Sequence, residues 1–94
     1  MIYLELKSIR SVCTKETDSL TLSYYLVTSF YQTRPVYGIQ IQSATPAGLI
    51  HCETISRISY SKSYTNHLID CCIKHLVTPT DMFSSIDLLM NPII

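Results

Sequence analysis

A β-hairpin is predicted by two stretches of sequence, LTLSYYLVTSF at residues 20–30 and VYGIQIQ at residues 36–42. In the first stretch, five of the six even positions are apolar, and Thr or Ser stands between most of them. In the second, Tyr37, Ile39 and Ile41 alternate with other residues, two of them glutamines. A period of two is typical of a half-buried strand. We therefore expect two antiparallel strands, each with one apolar face.

The residues between the two stretches predict a turn and a register. Residues 32–35, QTRP, suit a four-residue hairpin loop. If Tyr31 pairs with Val36, then Leu26 faces Ile41, and the apolar residues of both strands share one face. A slip of one residue would move the isoleucines of the second strand into water. Hydrophobic burial therefore favours this arrangement of faces.

Two further strands are predicted, one before and one after the hairpin along the chain. Residues 2–13 alternate and then change phase, so we expect a bulge or bend near Ser8. A fourth strand is expected over residues 49–55, after the turn at residues 45–48.

The period changes to that of a helix after Ser61. One stripe of the first helix is formed by Leu68, Ile69, Cys72, Ile73 and Leu76. Ser59 or Ser61 is expected to cap this helix, and Thr78-Pro79 to end it, because proline has no amide hydrogen. The apolar face of a second helix is predicted to consist of Met82, Phe83, Ile86, Leu89 and Met90.

Strands first and helices last indicate an α+β fold, with a four-stranded antiparallel sheet and two C-terminal helices packed on one face. A chain of 94 residues rarely holds two cores, so residues 1–94 are expected to form a single domain. Charged residues make up 15% of the chain, against about 25% in typical domains. Uncharged polar side chains must cover the surface, which suits burial against another protein.

Charge and composition also predict what the protein does not contact. Seven basic and seven acidic residues cancel, and no basic cluster appears, so we expect no nucleic-acid binding. No apolar run approaches the roughly 18 residues that span a membrane, and the N-terminus lacks a signal-peptide pattern. We expect a cytoplasmic protein without membrane contact. Its four cysteines, of which Cys71 and Cys72 are adjacent, are expected to be free and mostly buried.

Three motifs resemble those of a protein family: LSYYL at residues 22–26, YGIQI at residues 37–41 and VTP at residues 77–79. Over residues 20–90 the chain is similar to small clostridial (Firmicutes) proteins that form a domain of unknown function. Family members carry glutamate at several surface positions where this chain has Gln or Ser, such as Gln40. The resemblance implies a shared fold and implies no activity.

Metal binding is one hypothesis for the first helix. His67, Cys71 and His75 are spaced four apart, which places them along one helix face within reach of a metal ion. A structural zinc site commonly needs a second element, which His51 or Cys52 would supply. A polar helix face beside semi-buried thiols is the commoner explanation of such a pattern, so we expect no metal and no cofactor.

Catalysis by a cysteine is a second hypothesis. Cys52 or Cys71 could pair with a histidine as a nucleophile. However, the chain has only two glycines to shape an oxyanion loop, and it carries no local protease signature. We therefore expect a protein that is not an enzyme.

The outer face of the hairpin is the strongest candidate for a binding surface. Tyr25, Val27, Tyr31 and Val36 are expected to point away from the core, with Arg34 at the loop tip. Tyrosine combines a large contact area with a hydrogen-bonding tip, and Arg34 could bind a carboxylate with two hydrogen bonds. Alternatively, this face packs on the N-terminal segment or on a second copy of the chain.

The sequence thus predicts a small non-catalytic protein-binding regulator or inhibitor that acts by occupying a surface of its partner. The partner is a protein, either a foreign protein or a second copy in a homodimer. Such a chain would suit a mobile element that acts against a host defence enzyme, in the manner of anti-CRISPR proteins. The alternative is a small metal- or thiol-dependent protein that uses the helix face of His67, Cys71 and His75.

Overall fold

The chain forms an antiparallel sheet followed by two helices, which confirms the predicted α+β fold. The structure, a computed structural model, describes residues 2–13 and 19–90. The elements are β1 (Tyr3–Val12), β2 (Leu20–Tyr31), β3 (Arg34–Ala44), β4 (Ile50–Ser59), α1 (Lys62–Lys74) and α2 (Met82–Met90). The strands pair in the order β1-β2-β3-β4, so β1 and β4 form the two edges. Neither described helix is long and apolar enough to cross a membrane.

The core lies between the helices and one face of the sheet. It consists of Leu22, Tyr24, Leu26, Ile39 and Ile41 from the central strands and Leu68, Ile69, Cys72, Val77, Met82 and Ile86 from the helical part. The hydroxyl of Tyr24 donates a hydrogen bond to the carbonyl of Val77 at 2.9 Å, which ties the loop after α1 to the sheet. Phe30 continues the same alternation but remains exposed at the hairpin end of β2. We call the opposite side of the sheet the open face, because neither helix packs on it.

The hairpin between β2 and β3 is tighter than predicted. Its turn contains two residues, Gln32 and Thr33, both with positive φ (51° and 70°), and Tyr31 pairs with Arg34. The predicted register is therefore wrong by two residues, since Leu26 faces Ile39. A two-residue turn with positive φ matches the right-handed twist of the strands, which favours it over the longer loop. Because the shift is even, every side chain keeps its predicted face.

A β-bulge interrupts the edge strand β1, close to the predicted bend at Ser8. Leu6 pairs with Tyr25 and Ser8 pairs with Tyr24, so Lys7 is the extra residue. The bulge shifts the alternation of side chains between the two faces of β1 by one residue. The apolar pattern of the sequence changes phase at the same place. Residues before and after Lys7 that would otherwise point to opposite sides therefore share one face.

A second irregularity lies where β4 passes Gly38. Tyr37 pairs with Ser59 and Ile39 with Ile55, so β4 contains two more residues than β3 over this interval. A Cβ atom built on Gly38 would lie 2.0 Å from the carbonyl oxygen of Ile55. The backbone of β4 thus occupies the space of a side chain here, and β4 continues four residues beyond its predicted end.

Both helices begin after hydrogen-bonded turns. The hydroxyl of Ser61 accepts a hydrogen bond from the amide of Tyr64 at 3.1 Å, which confirms Ser61 as the N-cap of α1. Before α2, the carbonyl of Thr78 accepts a hydrogen bond from the amide of Asp81 at 3.1 Å.

The end of α1 differs from the prediction, because the helix stops before Pro79. Leu76 has a left-handed backbone with φ of 51°. The amide of Val77 donates to the carbonyl of Cys72 at 3.0 Å, and the amide of Leu76 donates to that of Ile73 at 3.2 Å. These two bonds define a Schellman motif, which closes the helix with its own backbone.

The predicted apolar face of α2 is only partly buried. Met82 and Ile86 belong to the core, whereas Phe83, Leu89 and Met90 are exposed. The shared face was predicted, but its burial is incomplete, because this nine-residue helix contacts the core along a narrow strip. Hydrophobic periodicity alone does not report how wide that strip is.

Candidate functional site

The structure corrects the expected exposure of the hairpin's outer residues. Tyr25, Val27, Tyr31 and Val36 all lie on the open face, since they alternate with the core residues of the same strands. However, the exposed fraction is 0% for Val27 and 5% for Val36. These two valines are packed and cannot contact a partner, whereas Tyr25 is half-buried and Tyr31 is exposed.

Neighbouring strands explain why the two valines are buried. Val27 lies between Leu4 of β1 and Gly38 of β3 in the register. Val36 lies in a hollow that it shares with Arg57 of β4 and with Tyr60, which follows β4. The bulge of β4 thus brings side chains over this part of the open face, which no pattern within the hairpin could predict.

A row of exposed apolar residues on the open face comes from β1, and the sequence pattern did not assign them to a site. Leu4, Leu6 and Ile9 have exposed fractions of 49%, 49% and 54%. They lie opposite Val27, Tyr25 and Ser23 of β2. We call Leu4, Leu6, Ile9 and Tyr25 the apolar band. The phase change near Ser8 signals that they share a face, but only the register with β2 tells which face.

Two arginines lie at the hairpin end of the open face. The guanidinium carbon of Arg34 lies 3.9 Å from the ring centroid of Tyr60, and that of Arg57 lies 5.3 Å from the ring centroid of Tyr31. Both rings line one hollow of about 240 Å³, together with Val36, Ile58 and Ser59. We call Tyr31, Arg34, Val36, Arg57 and Tyr60 the arginine corner.

The electrostatics of the arginine corner are unbalanced. Within residues 2–13 and 19–90, neither guanidinium has a hydrogen bond or a carboxylate partner. The described acidic side chains of the sheet are Glu5 and Glu53, which lie opposite Leu26 and Ile41 on the helix side. Glu5 binds Lys7, whose hydrogen bond and positive charge lower the pKa of that carboxyl. The described part of the open face is therefore positive at one end and has no acidic residue.

One buried polar group also lies on this face. The hydroxyl of Ser29 is buried and has no hydrogen-bond partner among the described residues. Ser29 lies opposite Val36 in the register and two residues before Tyr31. A buried hydroxyl without a partner is unfavourable for folding, so this corner is not arranged for stability alone.

The candidate metal ligands of α1 are only partly brought together. The sulfur of Cys71 lies 3.8 Å from Nε2 of His67, whereas His75 follows the last turn as the C-cap. No group of three or more potential ligands occurs in the described ranges.

All four cysteines are free, but the expectation that most are buried is wrong. Cys72 is buried and Cys71 is partly exposed. Cys13, just beyond β1, and Cys52, on the edge strand β4, are both exposed. Both residues lie at an edge of the sheet, so their thiols are outside the core between α1 and the sheet.

Comparison with known proteins supports the fold-level resemblance. No curated protein and no solved structure matches the chain. A family model, described as a family of unknown function, matches residues 3–91, from the first residue of β1 to one residue beyond α2. This confirms the resemblance to a domain of unknown function and extends it to the N-terminal strand. The chain belongs to the family of unknown function DUF6514.

Proposed function

We propose that this protein is a non-catalytic regulator or inhibitor that acts in the cytoplasm by holding a foreign protein on its open face. The observation that carries this proposal is the apolar band. Three aliphatic side chains of β1, Leu4, Leu6 and Ile9, are about half exposed on a rigid sheet. Contiguous exposed apolar side chains with a polar rim are typical of protein contact sites. Free thiols are in keeping with a reducing compartment.

The open face is a better contact than the edge of the sheet at β1. An edge strand can pair with a strand of a partner through its backbone, but β1 contains the bulge at Lys7. The side chain of Lys7 also forms an ion pair with Glu5. Bulges and charged side chains on an edge oppose strand addition. We therefore assign the contact to side chains of the open face.

The charge of the open face favours a foreign protein over a second copy. In a symmetric dimer the same patch of both chains would meet. Each arginine corner would then face a surface that has no acidic side chain among its described residues. A partner with carboxylates opposite Arg34 and Arg57 would complement the corner, and such complementarity increases both specificity and association rate.

The test uses a photo-crosslinking amino acid at Leu6, with Lys74 at the exposed end of α1 as the matched control position. In cells that encode the protein, we expect one protein to be cross-linked from Leu6 and not from Lys74. The identified protein, once purified, should form a 1:1 complex with the wild type. Leu4→Glu with Leu6→Glu should weaken this complex at least about thirtyfold, and Lys74→Glu should leave it unchanged.

The native mass of the purified protein tests the choice of partner. We expect a monomer at micromolar concentration by light scattering. A stable dimer that Leu4→Glu with Leu6→Glu converts to a folded monomer would contradict the proposal, because the open face would then be a self-interface.

A further inference from the structure

We infer that the arginine corner binds a carboxylate of the partner, from an Asp or Glu side chain seated in the hollow beside Val36. This inference rests on the proposed function, since it names the chemistry that the partner must present at one end of the open face. It concerns a different set of residues from the apolar band and is tested separately.

The first argument is that both guanidiniums are held in place but have unused donors. Arg34 is stacked on Tyr60, and Arg57 lies over Tyr31. A guanidinium that lies on an aromatic ring keeps its N–H groups directed outward in its own plane. Two of these N–H groups match the two oxygens of a carboxylate. Arg57 also lines a second hollow with Asp87 of α2, but neither arginine forms an ion pair within the described residues. Their donors are therefore available to a ligand.

The second argument comes from the walls of the hollow. Val36 and Ile58 provide apolar surface, and Tyr31, Tyr60 and Ser59 provide hydroxyl groups at the same site. A volume of about 240 Å³ holds a short side chain with its methylene stem. Arg57 lines the hollow, and Arg34 lies against the ring of Tyr60, which forms part of its wall. An aliphatic stem beside the valine and a carboxylate beside these arginines would use both properties of the site.

The third argument distinguishes a carboxylate from a phosphate. Phosphate sites commonly use free amides of a helix N-terminus or of a glycine-rich loop. Here α1 begins soon after Tyr60, but the hydroxyl of Ser61 already accepts the amide of Tyr64. The charged donors at the corner are the two guanidiniums, whose planar forks suit a carboxylate.

The turn that precedes Arg34 determines where this arginine lies. Gln32 and Thr33 form a two-residue turn with positive φ, which the twist of the strands favours. The turn places Arg34 at the start of β3, directly opposite Tyr31.

Nuclear magnetic resonance of the arginine side chains tests the inference. The chain has three arginines, so ¹⁵N-arginine labelling yields three Nε–Hε signals, and Arg10 on β1 is an internal control. Arg34→Lys and Arg57→Lys assign the signals. The probes are N-acetyl-glutamic acid α-amide, its neutral analogue N-acetyl-glutamine amide, and inorganic phosphate.

We expect the glutamic acid probe to shift the signals of Arg34 and Arg57 along one common saturation curve, with Arg10 unchanged. The glutamine probe should bind about tenfold more weakly or not at all, because it lacks the charge. Each Arg→Lys variant should also lose about tenfold in affinity, since an ammonium cannot form the planar fork.

Four outcomes would overturn the inference: no saturable shift, an equal shift of Arg10, equal binding of the glutamine probe, or tighter binding of phosphate. The last outcome would assign the corner to phosphorylated ligands. Failure here, with cross-linking at Leu6 retained, removes the carboxylate site and leaves the proposed function. If cross-linking at Leu6 is lost and the shifts are retained, the proposed function is removed and the carboxylate site remains.

Discussion

Gly38 has the strongest individual influence on the site, because it has no side chain. Its neighbours on the open face, Val27 and Val36, are covered, and the carbonyl of Ile55 takes the place of its Cβ. Without this approach of β4, Arg57 would not reach the ring of Tyr31. One glycine within the YGIQI motif thus links the fold of the sheet to the arginine corner.

Gly38→Ala should lower the free energy of unfolding by about 3 kcal/mol, because backbone atoms cannot move aside as a flexible side chain can. Urea unfolding measures the change. Gly48→Asn is the control, since a Cβ atom on Gly48 would meet no atom within 4 Å and asparagine tolerates a positive φ better than most residues do. A loss below about 1 kcal/mol for Gly38→Ala would contradict the observed approach of β4.

Alkaline pH should destabilise the protein through two buried groups. Burial raises the pKa of Cys72 from 9.0 to about 11 and that of Tyr24 from 10.0 to about 12. Both groups are neutral when protonated, so their contribution to stability is complete below pH 9. It is lost as the pH rises from 9 through 12, because the unfolded chain releases these protons first.

The measurement is the free energy of unfolding between pH 8 and pH 12. Tyr24→Phe should flatten the curve above pH 10 and cost about 1–2 kcal/mol at neutral pH, since the carbonyl of Val77 loses its partner. Tyr64→Phe is the matched control. A curve for Tyr24→Phe that is parallel to the wild type would contradict the assigned burial of the hydroxyl.

At the scale of elements, strand and helix ends depend on left-handed residues that are not glycine. Gln32 and Thr33 form the turn of the hairpin, and Leu76 closes the Schellman motif of α1. Left-handed backbone is unfavourable for these residue types and most of all for branched threonine. The ends of these elements therefore reduce stability, whereas their apolar faces increase it.

Gln32→Asn with Thr33→Gly should raise the free energy of unfolding by about 1 kcal/mol, because Asn-Gly is the preferred pair for a turn with two positive φ angles. Thermal or urea unfolding measures the gain. Thr21→Gly, in the extended part of β2, is the control and should lose about 1 kcal/mol. A loss of stability in the turn variant would contradict the two-residue turn.

At the scale of the whole molecule, the sheet has one closed and one open face. The helices cover Leu22, Leu26 and Ile41, while the apolar band on the other side stays half exposed. Only 15% of the residues of the chain are charged, so few charged side chains hydrate the surface around these exposed aliphatic residues. The open face should therefore contribute to binding more than to folding.

Leu6→Glu and Val27→Glu, at positions on the same face, should differ strongly in stability. Leu6 is half exposed, so its replacement should cost about 1 kcal/mol or less. Val27 is fully buried, so a carboxylate there should cost more than about 3 kcal/mol. Urea unfolding of both variants provides the comparison. Equal losses would mean that the apolar band is covered in solution, which contradicts an open face.

Much of the fold follows from local pattern. The period of two in the hairpin predicts which side chains share a face, and this held although the register was wrong by two residues, because an even shift preserves faces. Ser61 was predictable as a cap from its hydroxyl and its position before a helical period. The end of α1 was less predictable, because the Schellman motif uses Leu76 where glycine is usual.

The sequence alone determined the order of the elements, the bulge in β1 and the apolar side of each central strand, because these depend on residues that are close along the chain. The tertiary structure decided which of those side chains are covered. Leu4 and Leu6 became exposed, Val27 and Val36 became buried, and Arg57 joined the hairpin end, all through pairing with β2 and the irregular path of β4. Periodicity reports the direction of a side chain, whereas its burial and its partners depend on which distant strand lies beside it.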